Sequence, residues 1–202
     1  MGVDNTKQIQ ELLNFQNKDA FYFVQVMQRR KDQPNKEDYP SDNILLKDYY
    51  IKSGTHYNKK LPEIMRLCHA FNARAYIRLN RCFFSKVGIE ALAVTVEYLQ
   101  KGSPEAIKAA YPTACGRRCY DPDKTWILDL DGEHAAPLNI QRVIALVNRA
   151  RSSFFGKVYI TTIQTVNGVH LITHPFDTRD VDLTGIDLHK NNPTLLYYAQ
   201  NI

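Results

Sequence analysis

Apolar positions recur at helical spacing from the first residues of the chain, behind Thr6 as a cap, and predict an opening helix over residues 6–18. The period then changes. Ala20 to Met27 is an unbroken β-branched and aromatic run, the pattern of a buried strand. The polar stretch 29–42, with Pro34 and Pro40, reads as a loop, and Ile44 to Ile51 as a further strand. Lys60 to Phe71 carries Pro62 at a helix-start position and an apolar stripe. From Ala73 to Asn80 polar and apolar residues alternate, so a strand there sets Arg74, Tyr76, Arg78 and Asn80 on one face and Ala75, Ile77 and Leu79 on the other. Helical spacing returns over Lys86 to Leu99 and after Ser103-Pro104, followed by a turn-rich connector over 111–124.

The last third of the chain is the most regular. Trp126 to Asp131 reads as a strand, Pro137 to Phe154 as a strongly amphipathic helix, and Lys157 to Gln164 as a strand. The Asn167-Gly168 turn then adds an antiparallel neighbour. Short strands are expected around Asp187 and from Leu195 to Tyr198. Helices interleaved with strands in this order predict an α/β fold of the α+β kind, with a mixed, partly antiparallel sheet flanked by helices. The 202 residues suit a single domain, divisible into lobes at 1–110 and 111–202.

Charge changes the picture modestly. A formal net charge of +5 permits polyanionic partners without requiring them, and the cations cluster, at Arg29-Arg30-Lys31, Lys59-Lys60 and Arg117-Arg118 among others. No apolar run is long enough to span a bilayer, and no cationic stretch leads into an apolar one at the start. Met1-Gly2 with Thr6 fits the loose myristoylation pattern but lacks a polybasic continuation. Four scattered cysteines do not make a secreted disulfide framework, which points to reduced thiols and a cytoplasmic setting. Cys115 and Cys119 have the spacing of half a zinc site, with Cys68, His69 or Cys82 to complete it, although plain burial is the simpler expectation.

Candidate chemistry is concentrated in two segments. Asp129 and Asp131, at i and i+2 on a strand, point to one face, where paired carboxylate oxygens suit a hard divalent cation. Thr165-Val166-Asn167-Gly168-Val169-His170 sets a histidine on the strand after a tight turn. In this order the two segments resemble the archaeo-eukaryotic primase superfamily, including viral and plasmid primase-polymerases. A third motif of that family, an apolar residue followed by Asp, resembles Ile186-Asp187, with Phe176-Asp177 as competitor. The chain departs from the family pattern at Thr165 and Val166, where the family has Ser or a basic residue, and in the short interval between His170 and Asp187.

The resemblance implies a primase-like catalytic core and a divalent-metal-dependent nucleotidyltransferase acting on nucleotides or nucleic-acid ends. It implies Mg²⁺ or Mn²⁺ held by Asp129, Asp131 and Asp187. It further implies a nucleoside triphosphate bound by His170, Thr165 and Asn167, with Lys190, Arg74 and Arg78 balancing the charge of the triphosphate or of a single-stranded or primed nucleic acid. Two rivals stand beside it. One is a catalytically silent module that keeps the pocket to bind a nucleotide or a nucleic-acid end. The other is a phosphatase of haloacid dehalogenase type, with Asp129 as nucleophile and Asp131 as acid, which needs further motifs on successive parallel strands.

Overall fold

The apolar run at residues 20–29 becomes the central strand of the larger sheet, covered on both faces. Tyr22, Val24 and Val26 pack with Ile9, Tyr57 and Ile64 on one side, while Phe21 and Phe23 pack with Val87, Ala114 and Cys115 on the other. A strand buried on both faces has no polar alternation to show. The computed structural model describes residues 2–38, 40–117 and 123–199. Within them the larger sheet runs in the order β1 (Val3–Asp4), β10 (Thr194–Tyr198), β4 (Arg74–Ile77), β2 (Ala20–Arg29), β3 (Asn43–Ile51), with β5 (Cys82–Phe83) also paired to β2. Both ends of the chain therefore close one edge, Val3 opposite Tyr198.

The second sheet is β7 (Tyr159–Gln164), β8 (Gly168–Thr173), β6 (Trp126–Asp131) and β9 (Asp187–His189), in that order. Its two faces have different partners. Leu128, Leu130, Val169 and Leu171 bury against Val143 and Val147 of helix α5 (Pro137–Arg149), whereas Ile127, Ile163 and Ile172 join the core beneath the first sheet. Asn5 ties the sheets together, its Nδ2 donating to the carbonyls of Leu195 and Gln164, each at 2.8 Å. The α+β architecture expected from the sequence is present, divided between two sheets whose neighbouring strands all run antiparallel. Between β6 and β7 the chain passes through α5, and β8 returns to occupy the space between them.

Several boundaries differ from the sequence expectation. Helix α1 spans only Thr6–Leu12, because Leu13 is already extended. Helix α2 spans Gly54–Phe71, capped by the Ser53 hydroxyl, which accepts from His56 N at 3.0 Å. Pro62 thus lies inside the helix rather than at its start. After helix α3 (Phe84–Gln100), the expected connector contains helix α4 (Ala110–Arg117), whose Ala114 and Cys115 fill the space under Phe21 and Phe23. Helix α5 stops at Arg149, short of Phe154, where Ala150 turns extended. No helix of the described residues is long and apolar enough to cross a membrane.

Candidate functional site

The acidic pair sits where β6 emerges from the core. On one face the strand reads Ile127, Asp129, Asp131, apolar then acidic, and Asp129 stands in register between His170 of β8 and Asp187 of β9. Side chains directly opposite across a ladder share a face, so three of the expected residues form one row.

His170 is held at both ring nitrogens. Its Nδ1 lies 2.9 Å from the hydroxyl of fully buried Thr194, and its Nε2 lies 3.3 Å from Asp129 Oδ1. A carboxylate only accepts, so the neutral imidazole keeps its proton on Nε2 and takes the Thr194 hydroxyl hydrogen at Nδ1. The contact with Asp129 is slightly longer than an ordinary N–H···O bond, which leaves that proton accessible to a second acceptor in the cleft. The His170 imidazole, ahead of all other influences, holds the Asp129 carboxyl below its usual range, so Asp129 is an anion at neutral pH.

The turn before β8 brings the backbone close. Thr165 Oγ1 accepts from Gly168 N at 3.0 Å and Thr165 N donates to Gly168 O at 2.9 Å, closing the hairpin. A Cβ on Gly168 would lie 2.0 Å from the Leu130 carbonyl oxygen and 2.7 Å from Asp131 Oδ1. Glycine is required there by the approach to β6, not by turn conformation.

A cleft of about 80 Å³ opens over this row, lined by Asp129, Asp131, Thr165, Asn167 and His170 on one wall and by Arg29, Lys31, Arg74 and Tyr76 of the larger sheet and its following loop on the other. At roughly 30 Å³ per water, it has room for a few waters or one phosphate group at its floor, with any larger ligand continuing outward.

The cations divide by role. Arg74 is buried, with Nε and Nη2 on the Asp32 carboxylate at 2.7 and 2.6 Å and its guanidinium stacked on the Tyr198 ring, so its fork is already satisfied. Arg29 reaches only the Tyr76 hydroxyl, at 3.3 Å, and among the described residues neither Arg29 nor Lys31 has a carboxylate ion pair. Burial, then repulsion from Arg29 and Arg74, lowers the pKa of the Lys31 ammonium.

The remaining expected residues lie elsewhere. Arg78 is turned away and donates to the Asn191 carbonyl, and Lys190 lies over the Trp126 ring at 4.8 Å. Asp187 is exposed and outside the cleft lining despite its place opposite Asp129. Its competitor Asp177 caps a short turn and pairs with Arg179 and Arg151. Sequence reasoning misses two cations of the cleft, Arg29 and Lys31, which show only as part of a basic cluster. It also misses Thr194, buried behind His170 and a lone polar residue at a strand start.

Among the described residues no group of three or more His, Cys, Asp or Glu side chains is arranged to hold a metal ion. The Asp129 and Asp131 pair nevertheless fits Mg²⁺ or Mn²⁺, since such ions are commonly held by one or two carboxylates with phosphate oxygens and water completing the shell. Among the described residues neither aspartate is tied up by an Arg or Lys ion pair. The zinc arrangement does not form: Cys68 and Cys115 are free thiols buried in separate clusters, Cys82 is disulfide-bonded, and Cys119, like Arg118, lies outside the described residues. The expectation of reduced thiols therefore fails at Cys82, and cysteine usage no longer points to a cytoplasmic setting. The phosphatase reading is also removed, because both neighbours of β6 are antiparallel. No family model matches the chain, and no curated protein or solved structure is significantly similar to it.

Proposed function

We propose that the protein is a divalent-metal-dependent nucleotidyltransferase of primase-polymerase type, acting on nucleoside triphosphates and nucleic-acid ends. The observation that carries the reading is convergence. Asp129, Asp131, Thr165, Asn167 and His170, drawn from two segments about forty residues apart in the sequence, line one cleft opposite two cations that have no ion-pair partner among the described residues.

Asp129 and Asp131 would hold the metal, which when bound lowers the pKa of an attacking hydroxyl and neutralises phosphate charge. His170 keeps a proton on Nε2, oriented by Thr194, and presents it to a phosphate oxygen. Asn167 and the Thr165 turn border the same phosphate. Arg29 and Lys31 take the charge-balancing role that sequence assigned to Arg74, Arg78 and Lys190, because Arg74 is committed to Asp32 and the other two point elsewhere.

The test is template-directed or template-free nucleotide incorporation with Mn²⁺. Activity that disappears in Asp129→Ala supports the enzyme, and no incorporation by the wild type under any metal removes it. A second reading, nucleotide binding without turnover, is favoured by one observation, the position of Asp187 outside the cleft. It predicts Mn²⁺-dependent triphosphate binding with no product.

A further inference from the structure

Beside the acidic cleft lies a second, larger cavity of about 410 Å³, lined by Arg29, Arg30, Lys31, Lys36, Asp42 and Asn43. Of these six described residues four are cationic and one is acidic. Arg29 and Lys31 line both cavities, so the two adjoin.

The cavity is built rather than incidental. Arg29 stands opposite Asn43 in the β2–β3 ladder, Arg30 N donates to the Asp42 carbonyl at 2.9 Å, and Arg30 Nε donates to the Lys36 carbonyl at 2.8 Å. These bonds fix the loop while leaving the terminal nitrogens of Arg30 and the ammonium of Lys36 without an ion pair among the described residues. Concentrated like charge is unfavourable without a counter-anion, and at Lys31, whose pKa is lowered first by burial, repulsion from Arg29 adds to the effect. The described lining residues carry charge and amide groups, which recognise phosphate geometry rather than base identity.

We infer that this basic cavity binds the sugar-phosphate backbone of a single-stranded nucleic acid without sequence preference and leads the strand's end to the acidic cleft. The second half of that statement rests on the function proposed above. The affinity for a strand does not. A nucleoside triphosphate offers the same phosphate chemistry, so the two ligands are compared directly.

The experiment is fluorescence anisotropy of the full chain with a labelled mixed-sequence oligonucleotide of about twelve nucleotides, in EDTA, over a series of salt concentrations. Mn²⁺-dependent triphosphate binding is measured in parallel. The wild type is expected to bind with a log–log salt slope of roughly −2 to −3, from about 0.7 per neutralised phosphate on a single strand. Arg30→Ala with Lys36→Ala is expected to weaken strand binding at least about ten-fold and flatten the slope by about 1.4, two contacts at 0.7 each. Triphosphate binding should be unchanged. Lys36→Ala alone, on an exposed side chain, gives about half of that change in slope and guards against a folding defect.

Absence of strand binding, an unaltered slope in the double variant, or equal affinity for polyglutamate would overturn the inference. Loss of triphosphate binding in the double variant with strand binding intact would overturn it too, by assigning the cavity to the nucleotide. If the function proposed above is wrong while this inference holds, strand binding persists in EDTA but no metal-dependent triphosphate binding is found.

Discussion

At the scale of single residues, the site depends on one imidazole and one missing side chain. Asp129 fixes which nitrogen of His170 carries the proton and Thr194 anchors the other, so Thr194→Val removes a buried partner worth about 1 kcal/mol and frees the ring to flip. The expected result is a modest loss in urea midpoint with a larger loss of Mn²⁺-dependent triphosphate affinity. Equal effects on both would make Thr194 merely structural. Gly168→Ala places a methyl group against the Leu130 carbonyl and Asp131. The overpacking should cost about 1–3 kcal/mol in denaturant titration, and a neutral result would show that β8 does not approach β6 so closely. Asp129 also makes a signed prediction. Its carboxyl titrates below its unfolded value because of His170, so its contribution to stability is full above about pH 4 and is lost as pH falls through the lower folded value. Asp129→Asn should therefore flatten the acid limb of the stability profile, as read from unfolding midpoints between neutral and acid pH.

Elements were legible where periodicity and burial agree. The run from Ala20, the strand ending in Asp131 and the hairpin at Asn167-Gly168 each declared themselves. Side chains at i and i+2 of a strand share a face whatever lies around them, so Asp129 and Asp131 could be paired from sequence, and His170 followed from the turn. Misjudged elements involve long-range packing or caps. Pro62 looked like a helix start because its missing N–H is harmless there, yet Ser53 caps the helix earlier and tertiary burial of Tyr57 and Ile64 carries it through the proline. Residues 111–124 read as a turn-rich connector, but its start belongs to α4, where Ala114 and Cys115 are drawn under the β2 aromatics. The roles of the cations were not legible either, since nothing local tells that Asp32 will claim Arg74. That pair is nearly sealed from solvent, with side chains 6% and 9% exposed. Breaking it by Asp32→Ala should cost about 3 kcal/mol or more by leaving a buried guanidinium uncompensated. A change within experimental error would return Arg74 to the pool of cations free to bind ligand.

At the scale of the whole molecule, two antiparallel sheets share a core through Ile127, Ile163 and Ile172, and the cleft lies where that shared core gives way to charge. One wall is anionic and belongs to the second sheet. The other is cationic, formed by the larger sheet and the loop after β2. A polyphosphate bridged by a divalent cation satisfies both walls at once, whereas a simple anion would meet the aspartates unfavourably and a simple cation would meet Arg29 and Lys31. The most direct test is isothermal titration of Mn²⁺ in the absence and presence of a nucleoside triphosphate, for the wild type and for Asp129→Asn with Asp131→Asn. Cooperative binding, with Mn²⁺ tightened by the triphosphate and lost in the double variant, is the predicted result; Mn²⁺ and triphosphate binding independently of one another, or equally well to the double variant, would contradict it.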